Sequence, residues 1–113
     1  MEKQVIKMDK DKVLSIAFLI IAYASEAMDH FNRSLSAYKK KNDEEGENEW
    51  KLAEECVNLA HKSQTELLTA EANNIDIPFS MTMIHAQDHL MNVIQWQQIA
   101  KLFIEIYKGE DDE

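Results

Sequence analysis

The chain has 113 residues and carries 21 acidic against 12 basic side chains, a formal net charge of −9 at pH 7. That balance argues against a nucleic-acid backbone or an anionic membrane surface as a partner. A content of 45% hydrophobic and 29% charged residues excludes a disordered chain. With only two glycines and one proline, and with no strand-like alternation, one all-α domain is predicted over 1–113.

The first helix is expected over roughly 9–41, where Val13, Ala17, Ile20, Ala24, Ala27, Phe31, Leu35 and Tyr38 recur at steps of three and four. Its apolar run "IAFLIIAYA", 16–24, is shorter than the about 20 residues that span a bilayer. No signal-peptide cleavage pattern follows it, so a cytoplasmic protein without membrane insertion is expected. In "KKKNDEEGE", 39–47, lysines give way to acids around Gly46, which complements the dipoles of one helix ending and another beginning. The second helix is expected over 47–72, with Trp50, Ala53, Val57, Ala60, Gln64 and Leu67 as its seam. Cys56 is the single cysteine, which suits a reducing compartment, and reads as a small apolar filler. "NNIDIPFS", 73–80, holds the only proline, and Ser80 is placed to cap a third helix over 81–108. The acidic tail "GEDDE" is expected to fray. Short connections predict an antiparallel, up-down-up three-helix bundle.

The third helix has more apolar surface than such a bundle can bury. Gln87, Gln98, Lys101 and Glu105 share a narrow polar face, while Ile84, Met91, Trp96, Ile99, Leu102, Phe103, Ile106 and Tyr107 spread round the rest. The excess predicts a second buried contact, most simply with further copies of the same chain.

Into that helix the stretch "MTMIHAQDHLM", 81–91, sets His85, Asp88 and His89 within two turns. His30 and His61 read as packing residues, His61 together with Gln64 against the third helix. The trio is harder to read that way, because burying an aspartate costs several kcal/mol unless it is paired, protonated or bound to a cation. A hydrolytic zinc site does not fit: H-E-x-x-H needs glutamate where Ala86 stands, and H-x-x-E-H needs it where Asp88 stands. A nucleophilic imidazole does fit. His85 falls in the second turn of the helix, near its positive end, with Thr82, Gln87 and His89 close enough to orient it or its cargo. The chain has no glycine-rich nucleotide cradle, so a phosphoryl donor would be another phosphoprotein rather than ATP.

"PFSMTMIHAQDHLM", 78–91, resembles the signature of enzyme IIA of the lactose/cellobiose class in the bacterial phosphoenolpyruvate-dependent sugar phosphotransferase system. "AHKSQTELLTAEA", 60–72, and "LFIEIYK", 102–108, resemble the same family at the same spacing. The resemblance implies a homotrimer of three-helix bundles. It implies that His85 is phosphorylated, at Nε2, and that His89 and Gln87 support it. Asp88 would meet its two symmetry mates on the threefold axis around a structural divalent cation, commonly magnesium. The implied partners are the histidine-containing phosphocarrier protein as donor and the cysteine of the sugar-specific IIB component as acceptor, during uptake of a β-linked disaccharide. One departure stands in the first helix: where the family pattern runs glycine-acid-alanine-arginine, this chain has Ser25, Glu26, Ala27 and Met28. The contrasting reading is a non-enzymatic, metal-stabilised trimeric bundle in which His85 packs and partner binding is the function.

Overall fold

The computed structural model describes residues 6–109, and three helices follow one another in it: α1 Lys10–Lys39, α2 Asp43–Ala72 and α3 Met81–Gly109. The expected frayed tail lies outside the described residues. Both joints are tight, and the same device builds them. After α1, Lys41 adopts a left-handed φ of 66°, its N–H donates to Tyr38 O and the Asn42 N–H donates to Ala37 O. After α2, Asn74 does the same, with its N–H on Glu71 O and the Ile75 N–H on Ala70 O. Each left-handed residue satisfies two orphan carbonyls and stops its helix.

The second helix begins at Asp43, four residues before the expected start. Asn42 is the reason. Its Oδ1 accepts from the Glu45 N–H at 3.4 Å and its Nδ2 donates to the Glu45 carboxylate at 3.0 Å, a reciprocal cap. Gly46 therefore lies in the first turn of α2 and does not break a helix. What it supplies is space: a Cβ there would stand 2.7 Å from Cδ2 and Cε2 of the buried Tyr38 ring.

Cross-links between the helices give their directions. Glu66, Cys56, Glu49 and Gly46 on α2 meet Lys12, Glu26, His30 and Ser34 on α1, so the two helices run in opposite senses. Ser25–His89 and Asn32–Trp96 keep one offset, so α1 and α3 run the same way. Helix α1 packs against both neighbours, whereas α2 and α3 barely touch. The expected seam of α1 is buried except that Leu35 gives way to Ser34, whose hydroxyl donates to Gly46 O at 2.7 Å. That bond removes the cost of burying a polar residue at the α1–α2 joint.

By length and composition α1 could cross a bilayer. In the structure it is instead the central helix. Ile16, Ala17 and Ile20 pack with Ala60, Leu67, Ala86 and Leu90, and Ala24, Ala27 and Phe31 pack with Ala53, Cys56, Val57 and Val93. Phe31 meets Trp50 edge to face, with centroids 4.7 Å apart.

Candidate functional site

Ser80 starts α3 as expected. It is buried, and its Oγ accepts from the Met83 N–H at 3.1 Å. The residues 75–77 before it are tied down by the N-terminal segment: the Met8 N–H donates to Asp76 O at 2.9 Å and the Asp76 N–H to Ile6 O at 2.8 Å. The beginning of α3 is thus clamped before it presents its histidines.

Inward, α3 buries a narrow row of Ala86, Leu90, Val93, Ala100 and Ile104 against α1. At 100° per residue, His85 and His89 stand to one side of that row and Gln87 to the other. His85 is exposed, and among the described residues its ring makes no hydrogen bond or ion pair. Its one neighbour of note is His89, whose ring lies 5.7 Å away between centroids and within 28° of parallel. His89 is half-buried and held: its Nε2 stands 3.1 Å from the hydroxyl of Ser25 on α1. One heptad on, Trp96 Nε1–H donates to Asn32 Oδ1 at 2.9 Å, which fixes the α1–α3 register that brings Ser25 to His89.

Gln87 turns away from this pair. Its amide engages Gln64 on α2 and donates to Met83 Sδ at 3.3 Å, so it links the start of α3 to α2. Asp88 faces a third way, in the row opposite the core, flanked by exposed Ile84 and Met91. Among the described residues its carboxylate has no hydrogen-bond or ion-pair partner, and no three acidic, histidine or cysteine side chains of one chain stand together as a metal group. The structure therefore divides the trio: two histidines form one arrangement and the aspartate belongs to another surface.

The other histidines fall out differently. His30 Nδ1 lies 2.6 Å from Glu49 Oε1 in a half-buried bridge between α1 and α2, which agrees with a packing role. His61 is exposed rather than packed against α3. It lies one position past the buried Ala60, and Gln64 takes the contact instead. Met28, at the position of the family arginine, is half-buried against the Phe31–Val57 cluster. The residue that sequence reasoning missed is Ser25. A lone serine in "YASEAM" gives no signal by type, and only the parallel α1–α3 register shows that it reaches His89.

A cavity of about 490 Å³ between Tyr38, Trp50, Lys101, Ile104 and Lys108 lies at the other end of α3 from His85. An exposed imidazole at the start of a helix, stacked on a tethered second imidazole, is suited to exchanging a group with a macromolecular partner rather than enclosing a small substrate.

The family described as "PTS system, Lactose/Cellobiose specific IIA subunit" matches residues 15–108. The lactose-specific EIIA component of Staphylococcus epidermidis is 42% identical over 101 residues, covering 89% of this chain and 97% of that protein. Its counterpart in Streptococcus mutans is 37% identical with the same coverage. Among solved structures, the cellobiose-specific enzyme IIA of Bacillus anthracis superposes with a TM-score of 0.82 at 34% identity, covering 88% of this chain and 91% of the other. PtcA from S. mutans reaches 0.85 at 31% identity, with coverages of 89% and 99%. The chain belongs to the lactose/cellobiose-specific IIA family of the sugar phosphotransferase system.

Proposed function

We propose that this IIA component is an intermediate phosphoryl carrier in which His85 is the nucleophile. The observation that carries the reading is the contrast between two rings four residues apart: His85 is exposed and unbonded at its polar edge, and His89 beside it is anchored. In the first transfer, the P–N bond to the imidazole of the histidine-containing phosphocarrier breaks as a P–N bond to His85 Nε2 forms. The donor ring recovers its electron pair. In the second, that bond breaks as the thiolate of the IIB cysteine takes the phosphoryl group. Both steps depend on alignment more than on covalent assistance, because the transition state is loose and in line. The sugar class would be a β-linked disaccharide, as the lactose- and cellobiose-specific names of the relatives suggest, and the carrier would act in the cytoplasm.

The same reading takes the helices in up-down-up order and assembles three copies with α3 nearest the axis. Support comes from the outer row of α3, where Ile84, Met91, Leu102 and Ile106 are exposed in a single chain. Asp88 sits in that row. Three copies would bring three carboxylates together, and like charges at one point repel unless a cation stands among them. A divalent ion such as magnesium fits this all-oxygen donor set. Its role would be structural.

The test is incubation with phosphoenolpyruvate and the general phosphotransfer proteins, followed by intact-mass measurement. The wild type should gain one phosphate, lost in acid and kept in base. His85→Gln should gain none, because glutamine has no nucleophilic ring nitrogen. His89→Gln should still label, more slowly. Normal labelling of His85→Gln with loss in His89→Gln would reverse the assignment. Labelling of both would move the site elsewhere, with His61 next to test. A wild type that takes no phosphate would favour a purely structural bundle.

A further inference from the structure

We infer that Ser25 is a positioning residue for phosphoryl transfer, holding His89 by Nε2 so that its ring stays stacked on His85. The inference rests on the carrier reading above and adds to it a residue on a different helix.

The argument begins with what would otherwise orient His89. A histidine on a helix surface has a broad, roughly two-fold χ2 distribution, so its ring plane is not fixed by the backbone. Stacking on a second exposed imidazole is too weak to fix it alone. The hydroxyl of Ser25 supplies the missing constraint, at 3.1 Å from Nε2 and from a separate helix. Its position is itself determined. Asn32 and Trp96 bond at 2.9 Å one heptad further along both helices, so α1 cannot slide against α3 without breaking a second contact. With Nε2 engaged, the face of His89 is turned to His85, 5.7 Å away between centroids.

The polarity of the bond gives this arrangement a use. A serine hydroxyl accepts as readily as it donates. The bond therefore holds for either tautomer of His89: the hydroxyl donates to a bare Nε2 and accepts when Nε2 carries the proton. Ser25 Oγ can then accept from Nε2–H with no change of rotamer on either side. An alanine at this position would leave that N–H to solvent and the ring free to turn.

Ser25→Ala separates this role from a structural one, since alanine is the better helix former at an exposed site. Folding stability should hold or rise slightly, while phosphoryl uptake from the phosphorylated phosphocarrier falls about three- to tenfold. Ser25→Thr, which keeps the hydroxyl, should restore most of the rate. The imidazole nitrogen resonances of His89 should shift in Ser25→Ala and remain in place in Ser63→Ala, which removes a hydroxyl bonded within α2 and away from the ring. Because Ser25 acts through His89, adding Ser25→Ala to His89→Gln should cost nothing further. Wild-type uptake by Ser25→Ala with unmoved His89 resonances would overturn the inference, as would full additivity of the two substitutions. Loss of the carrier reading would look different: the wild type would take no phosphate, or His85→Gln would label.

Discussion

Helices α1 and α3 are nearly the same length, both apolar, and differently spent. Helix α1 buries ten of its residues and α3 only five. Phe31, Ile20 and Val13 of α1 are wholly buried, and of its large apolar side chains Phe18 and Leu19 are exposed. In α3 the inward row is short, and Ile84, Met91, Leu102 and Ile106 lie on the opposite side, exposed. Its polar residues Gln87, Lys101 and Glu105 turn instead toward the α2 side, through Gln64 and the cavity beside Trp50. A helix with its bulk opposite its own core row is shaped for a second contact. Stability of the chain is thus concentrated in α1. Helix α3 carries the candidate site on the border between the buried and the exposed row, where the proposed nucleophile is both supported and reached.

The strongest way to break that comparison is to truncate one large apolar side chain in each helix. Phe31→Ala should cost about 3–5 kcal/mol of folding stability, as full truncation of a buried aromatic does. Leu102→Ala truncates a large apolar side chain that is 60% exposed. It should change the folding of the single chain by less than about 0.5 kcal/mol, as surface substitutions do, while sedimentation shows a weaker assembly. Comparable folding losses, with the assembly intact, would mean that α3 is packed as α1 is.

Asp88→Leu is expected to act on the assembly in the opposite direction. Replacing a converging charge cluster by apolar side chains is often neutral or stabilising, by about 1–4 kcal/mol. The substituted trimer should therefore melt at or above the wild-type temperature and ignore a chelator. The wild type should melt lower once a chelator removes the cation proposed for the axis. A wild-type melting temperature indifferent to chelation would remove Asp88 from any metal role.

Gly46→Ala tests the other side of the comparison, where α1 turns into α2. Alanine gains up to about 1 kcal/mol in a helix interior. Its Cβ, however, would stand 2.7 Å from the Tyr38 ring, which is only 6% exposed and has little room to move. Overpacking of this kind costs about 1–3 kcal/mol, so a net loss near 1 kcal/mol is expected in thermal or urea denaturation. A net gain would show that the ring shifts freely.

Gly46 also shows where the sequence could and could not be read. Glycine among charged residues signals a break, and the true stop is a left-handed Lys41, a conformation that residue type does not announce. The seams of α1 and α2 follow from spacing because each helix has one dominant buried stripe. Leu35 fails as a member because a hydroxyl on Ser34 finds Gly46 O, a contact set by the closeness of two helices rather than by hydrophobicity. At the site, motif spacing puts His85 and His89 on one side of α3 and the excess apolar arc foretells the exposed row. The division of Gln87 toward α2 and Ser25 toward His89 depends on the rotation and register of packed helices, which a single sequence does not encode locally.

The smallest expected effect belongs to two groups at the α1–α2 interface. Burial pushes the Cys56 thiol above its ordinary 9.0, with the nearby Glu26 carboxylate, which accepts its S–H, and Glu55 adding to the shift. Burial likewise raises the Tyr38 hydroxyl above 10.0, reinforced by Glu47 and Asp43. In both cases the folded chain keeps its proton after the unfolded chain has begun to release it. The unfolded state then binds fewer protons, and stability falls with rising pH. The contribution is complete below pH 9.0, begins to fade as the unfolded thiol ionises, and fades further past 10.0 as tyrosine follows. Melting temperature measured from pH 7 upward should be flat and then decline from about the ordinary thiol value. In Cys56→Ala the decline should start later, whatever the level from which it starts, because only Tyr38 of this pair remains. Glu26→Gln should leave a more acidic thiol that alkylates faster at pH 8, since the neutral amide no longer opposes the thiolate. An onset unmoved in Cys56→Ala, together with unchanged alkylation in Glu26→Gln, would show that the pairing of Cys56 with Glu26 does not hold in solution.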